Sequence, residues 1–466
     1  MSDRNRTKIL ATAILGTGVC FSGVAAHGQQ AQSGIVGKDG WLFSTWELAT
    51  VEDMAPTNVT IDLISRFNKV LAANGVTMAV VIIPSRARVY SEFLPPSVRK
   101  TREMAGQYER VMKGFEKGRV NAIDLATPFL DPANRNGPLV LQHKLDSHWT
   151  PAGALLAAEA IKAGIAANPT LKSALDSTPV QQYKLEMSKS KKRSNLRDII
   201  PQLSPADAAK QTSQSDEIRT FTAVRVKGAL PHNSLPYYGV ALVGSSSSRQ
   251  FTGFLDGLVY NLQRDIYLSS TDGDRGAWVG METYLRGDVF QTKPPKLMIW
   301  EQAEKQMPMP PTYKWRSATF NMDNTEWLLR VAALVQKNCT ASSVTARLSN
   351  SKLTGRAANA STDGVSVSAT TDNDFVEYSF SEPFRKLDYL SAHLTLSEAK
   401  TITLEAIGAD GSTRKFSVPA SVDAPLKFPL TSPGSGYTKV RIYPGKTTGF
   451  ALKGLQICRQ PDGLLS

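Results

Sequence analysis

The chain has 466 residues, 41% of them hydrophobic and 20% charged, more apolar material than one ordinary core needs, so two folded domains of different character are expected. A formal charge of +13 suits contact with an anionic polymer or an anionic membrane surface and does not choose between them. Only the first residues offer a long apolar run, which excludes a polytopic membrane protein.

In chain order, Arg4, Arg6 and Lys8 precede an apolar run from Ile9 to Ala26 that is broken by Gly16, Gly18 and Gly23 and followed by small residues. This reads as a signal peptide over residues 1–28, and export to the periplasm argues against nucleic acid as a partner. Cys20 follows Val19 rather than the small residue of a lipoprotein site. Cys339 and Cys458 then remain, an isolated pair in a secreted chain, and are expected to form a disulfide.

From Ile35 to Met322, short apolar runs alternate with amphipathic stretches, the pattern of a parallel sheet with crossover helices. Asp62 to Ala73 has apolar residues at helical spacing and stops at Asn74-Gly75. Val76 to Ile83 is a buried strand closed by Pro84, and further strands are expected at Asn121–Leu125, Tyr238–Val243, Asp265–Leu268 and Lys296–Trp300. Lys184 to Gln211, with Lys189, Lys191, Lys192 and Arg193 close together, has weak periodicity and reads as a mobile basic loop at the substrate face. A helix is expected through Trp327 to Val335. Beyond Cys339, period-two alternation (Val365–Ala369, Phe375–Phe380, Leu394–Leu396, Ile402–Ala406, Val440–Tyr443) and a turn at Asp410-Gly411 indicate an all-β sandwich or jelly roll.

Two segments carry chemistry. In Asp146-Ser147-His148-Trp149-Thr150-Pro151, Thr150 is a good N-cap and Pro151 a good first helical residue, so Asp146 and His148 sit on the loop ahead of a helix. At i and i+2 of an extended stretch their side chains share one side, and the carboxylate can hold one imidazole nitrogen while the other acts as base. A surface loop with an ordinary Asp–His pair would have the same sequence. In Val240 to Ser248 a buried strand runs into Gly244 and four serines ahead of a helix expected over Arg249–Gln263, a geometry that exposes a hydroxyl at the carboxyl edge of a parallel sheet. Ser246 is the expected nucleophile. A serine run that simply caps a helix is the plainer alternative. Together the segments supply nucleophile, base and orienting group. Of His143, His148, His232 and His393, only His148 has a carboxylate at the right spacing, and no ligand pattern points to a metal or another cofactor.

These residues resemble the SGNH-like alginate O-acetyltransferases of the AlgX/AlgJ family. The resemblance is carried by Gly37-Lys38-Asp39-Gly40-Trp41-Leu42-Phe43, Pro84-Ser85-Arg86-Ala87-Arg88-Val89-Tyr90, Asp146-Ser147-His148-Trp149, Gly244-Ser245-Ser246 and Ile299-Trp300-Glu301. Its specific element is order: the Asp/His pair precedes the serine, the reverse of ordinary SGNH hydrolases. The layout is more similar to AlgX, with an SGNH-like acetyltransferase domain over 35–325 and a β-sandwich carbohydrate-binding module over 339–466. The resemblance implies that Ser246 carries an acetyl group to a polysaccharide hydroxyl, with His148 as base and Asp146 orienting it. It also implies an anionic or neutral exopolysaccharide as partner and a membrane-bound acyltransferase among the other members of an acetylation and export complex. Ser247 stands where the family often has an aromatic residue, and the cysteine pair of the AlgX catalytic domain is missing, so the polymer is less constrained than the reaction.

Arg86, Arg88 and Tyr90 follow a strand end and are expected at a uronate or at the oxyanion; Trp300 and Glu301 are expected to line the cleft. In the C-terminal domain Arg385, Lys386, His393, Lys400, Arg414 and Lys415, with Tyr389 as a stacking ring, are the expected basic binding face. Two other readings stand beside acetyl transfer: a polysaccharide acetylesterase, and a noncatalytic polysaccharide-binding export scaffold.

Overall fold

The computed structural model describes residues 33–48, 54–98, 102–211, 215–228, 233, 235, 237–272, 276–313, 322–351, 354–357, 364–369, 371–430 and 436–465. The signal-peptide reading and His232 lie outside the described residues. Among the described residues no helix is long and apolar enough to cross a membrane.

Five parallel strands form the first sheet, in the order Ile266–Ser270, Val240–Gly244, Leu297–Ala303, Thr77–Ile83, Asn121–Ile123. Alternate residues of these strands enter two separate cores, which is why the runs are apolar throughout rather than alternating. Met78, Val80, Ile82, Ala241, Val243, Met298 and Trp300 pack with helices Ala55–Ala73, Arg102–Lys117, Gly276–Arg286 and Asn324–Val335. Ala79, Val81, Ile83, Val240, Leu242, Leu297 and Ile299 face helices Pro151–Ala167 and Phe254–Leu262. The order places the last strand between the first and third, so three adjacent strands deliver their carboxyl ends to one crevice, the usual ligand position of an open α/β sheet.

The C-terminal part consists of two antiparallel five-stranded sheets that share one apolar core. The turn at Asp410-Gly411 joins Lys400–Gly408 to Thr413–Ala420, paired from Ile407↔Thr413 onward. Cys339 and Cys458 are disulfide-bonded with Cα atoms 5.1 Å apart, which ties the segment after helix Asn324–Val335 to the last strand, Thr447–Arg459. Helix Asn324–Val335 also carries the contacts between the two parts. Arg414 pairs with Glu326 at 2.7 Å, Gln460 donates to Leu329 O at 2.9 Å, and the Arg330 guanidinium lies 4.8 Å from the centre of the Phe428 ring.

Two elements differ from expectation. Lys184–Gln211 is not a simple loop: Tyr183–Met187 pairs with Phe221–Arg225, Lys192–Arg193 pairs with Glu217–Ile218, and Pro205–Lys210 is a short helix. The helix expected from Arg249 starts at Phe254, because two 3-10 turns and Gly253 at φ 81° intervene. Its positive end is therefore not adjacent to Ser246 in the chain.

Candidate active site

The base arises from a tight fold-back. His143 N donates to His148 O at 3.1 Å and Thr150 N to Leu141 O at 3.0 Å, which presses the loop against the helix start. Thr150 caps Pro151–Ala167 by accepting from Gly153 N at 3.3 Å, and a Cβ at Gly153 would collide with Leu141 O. Within this fold-back Asp146 Oδ1 meets His148 Nδ1 at 2.6 Å and accepts from His148 N at 3.1 Å, while Oδ2 accepts from Asp198 N at 2.9 Å. Burial alone would raise the Asp146 pKa, but the hydrogen bond and charge of His148, with the Asp198 amide, hold it down to about 2. A carboxylate that stays charged keeps the Nδ1 proton directed at itself and leaves Nε2 unprotonated.

That Nε2 lies 2.8 Å from Ser246 Oγ, bridging 98 positions of sequence. The serine turn is held from beneath by Glu301, whose carboxyl group is fully buried. Glu301 Oε2 accepts from Ser245 N at 2.7 Å and Ser248 Oγ at 2.9 Å, and Ser245 Oγ donates to the same carboxyl group at 3.0 Å. Gly244 is required by this close approach, since a Cβ there would come within 2.6 Å of Glu301 Oε2 and nearer still to Ser248 Oγ. Burial raises the Glu301 pKa, and the Ser245 amide and the two hydroxyls offset part of that rise. From the other side Trp149 Nε1 donates to Ser247 O at 3.0 Å, so the motif tryptophan ties the base loop to the nucleophile turn. Among the described residues no acceptor takes the Ser246 amide.

A cavity of 260 Å³ opens over these groups at the carboxyl ends of the three central strands, with Ser85, Gln142, His148, Ser246, Trp46 and Lys305 in its wall. Asp146, His148 and Asp198 also bring ligand-type atoms within 4.8 Å of one another, but both imidazole nitrogens are engaged, by Asp146 and by Ser246.

Asp146, His148 and Ser246 are thus brought together. Of the expected substrate cations, Arg86 and Arg88 are held by buried acids, whereas Arg385 and Lys386 are exposed. Arg86 is only 1% exposed; it pairs with Glu47 at 2.6 Å and donates to His143 O and Asp146 O, which makes it a brace for the base loop. Arg88 is paired with Glu304 at 2.6 Å, and Tyr90 is buried with its hydroxyl accepting from Leu141 N at 2.9 Å. Arg385 and Lys386 lie on the turn before strand Asp388–Leu396, with Arg385 paired to Glu382 at 2.6 Å. The expected basic face of the C-terminal part is broken: Tyr389 is buried beside Ala333 and Cys458, and Arg414 belongs to the contact with Glu326. Trp300 is core, and Glu301 lies under the serine turn instead of lining the cleft. Sequence reasoning missed Asp198, which has no local signal, and the supporting role of Glu301, whose signal was a carboxyl group at the end of an otherwise apolar strand.

The family described as SGNH hydrolase-like domain, acetyltransferase AlgX matches residues 35–304. The probable alginate O-acetylase AlgJ of Pseudomonas putida is 28% identical over 286 residues, 59% of this chain and 70% of that protein. The alginate biosynthesis protein AlgX of the same species is 27% identical over 278 residues, 56% of this chain and 54% of its own length. Among solved structures, the O-acetyltransferase domain of P. putida AlgJ superposes with a TM-score of 0.53 at 25% identity, covering 66% of this chain and 99% of that one. Pseudomonas aeruginosa AlgX gives 0.65 at 18% identity over 92% of this chain and 94% of its own, a likeness of fold.

Proposed function

The chain belongs to the AlgX family of SGNH hydrolase-like acetyltransferases, and from that premise we propose that it transfers acetyl groups to hydroxyls of an exported polysaccharide, alginate being the first candidate. The observation that carries the reading is the 2.8 Å contact between His148 Nε2 and Ser246 Oγ, with Asp146 on the opposite nitrogen. Ser246 Oγ attacks the acetyl carbonyl and its proton passes to His148 Nε2. The donor's leaving group departs with that proton, and the acetyl group is left as an ester on Ser246. A sugar hydroxyl then attacks the ester while His148 takes its proton, and Ser246 leaves reprotonated. The uncommitted Ser246 amide is a suitable donor to the oxyanion in both steps.

The remaining assignments follow from the same reading. Residues 1–28 act as the export signal, residues 35–325 form the acetyltransferase domain, and the sandwich over 339–466 holds the polymer. A bonded cysteine pair fits the oxidising periplasm, where a membrane-bound acyltransferase brings the acetyl group. Mass analysis of oligomannuronate incubated with the full chain and an acetyl ester tests the proposal. Acetylated sugar is the expected product; release of free acetate with unmodified sugar would replace transferase by esterase for that polymer.

A further inference from the structure

The cavity over Ser246 does not end at the nucleophile. Trp46, Glu47, Glu304, Lys305 and Met309 form a wall shared with a second cavity of 490 Å³ that extends to Tyr313. The charges of this wall are distributed unevenly. Glu47 is neutralised by Arg86 and Glu304 by Arg88, each at 2.6 Å, whereas half-buried Lys305 makes no ion pair with any described carboxylate. Beside it, Trp46 and Tyr313 are 37% and 41% exposed and line the second cavity, offering it aromatic surface.

We propose that the second cavity is an acceptor subsite for the sugar next to the one being acetylated, with Lys305 reading the carboxylate of a uronate there. The ring of Trp46 lies at the junction, where it can cover the apolar face of a pyranose that passes from one cavity to the other. The inference rests on the acetyl-transfer reading and gives it a polymer class. With both wall acids already paired, Lys305 remains to meet an incoming carboxylate, whereas a neutral sugar gives it no ionic partner. The cation that selects the substrate thus comes from the last strand's exit, and Arg86 and Arg88, at the first strand's exit, serve the scaffold.

Two measurements on the full chain test this. In reductive methylation followed by peptide mass analysis, a hexauronate slows modification of Lys305 and its carboxyl-reduced counterpart does not. In acetyl transfer, the preference for the hexauronate over the reduced hexamer falls three- to tenfold, an order-of-magnitude expectation for a partly exposed ion pair, in Lys305→Gln and recovers in Lys305→Arg. An unprotected Lys305, or a preference unchanged in Lys305→Gln, overturns the subsite even when the wild type acetylates sugar. Protection of Lys305 in a protein that transfers no acetyl group keeps the subsite and defeats the transferase reading instead, so the two failures are distinct.

Discussion

The two sides of the Ser246–His148 contact each rest on a buried carboxyl group, and their surroundings drive the two in opposite directions. Asp146 has an imidazole on one oxygen and a backbone amide on the other, and stays ionised; Glu301 receives only an amide and two hydroxyls in a sealed interior, and its pKa rises. The difference follows the chemistry each side requires. A base loop must stabilise an imidazolium, so charge there is useful. A nucleophile turn must hold its hydroxyl in one place, and the hydrogen bonds that Glu301 accepts do that. Glu301 acts as a positioning group, a hydrogen-bond hub beneath the serine turn.

The sharpest break of this contrast is Asp146→Asn, which leaves the fold intact but removes the charge and misdirects the imidazole tautomer. Turnover of an acetyl ester should fall by about 10³- to 10⁴-fold, with an unchanged circular dichroism spectrum. On the other side, Glu301→Ala strands the Ser245 amide and should cost about 2–3 kcal/mol in denaturant unfolding, with kcat lower on the order of a hundredfold as Ser246 moves. Glu301→Gln, which can still accept from that amide, should keep kcat within about tenfold of wild type. Rates resembling those of Glu301→Ala would mean that the charge itself is required.

pH separates the same two groups by stability. The Asp146 pKa is depressed when folded, so its contribution is complete above the ordinary carboxylate range and is lost as pH falls toward about 2. The Asp146→Asn variant should lack this acid limb, which amounts to about 2 kcal/mol or less. Glu301 has the opposite sign: its folded pKa is raised, so its contribution is present below the ordinary carboxylate range and is lost as pH rises through the raised value. Melting curves should therefore show Glu301→Gln gaining on the wild type as pH increases. The smallest expected effect is that of Trp149→Phe, which removes the tie to Ser247 O and should cost about 1 kcal/mol and about fivefold in kcat.

What could be read from the sequence followed the range of each interaction. Parallel strands announce themselves as apolar β-branched runs, and Asp146 and His148 are two residues apart, so both were legible locally. Ser246 was legible only in combination with the Asp146/His148 segment, since a serine run after a buried strand also fits a simple helix cap. Arg86 and Arg88 were misassigned because the acids that neutralise them, Glu47 and Glu304, lie 39 and 216 positions away. Asp198 reaches Asp146 across 52 positions from a stretch of weak periodicity, and no local pattern marks it. The helix after Ser246 was placed too early because serine, arginine and glutamine allow a helical reading, while the chain uses Gly253 to reset its direction at φ 81°.

The mechanism requires the hydroxyl beside His148 to carry the acetyl group. Brief exposure of the full chain to an activated acetyl ester, acid quenching and fragmentation of the peptide containing Ser245–Ser248 would locate the adduct. One acetyl group on Ser246, absent in a His148→Ala sample treated identically, is the expected result. An adduct on a neighbouring serine, or none at all while acetyl groups are still being transferred, would contradict the account.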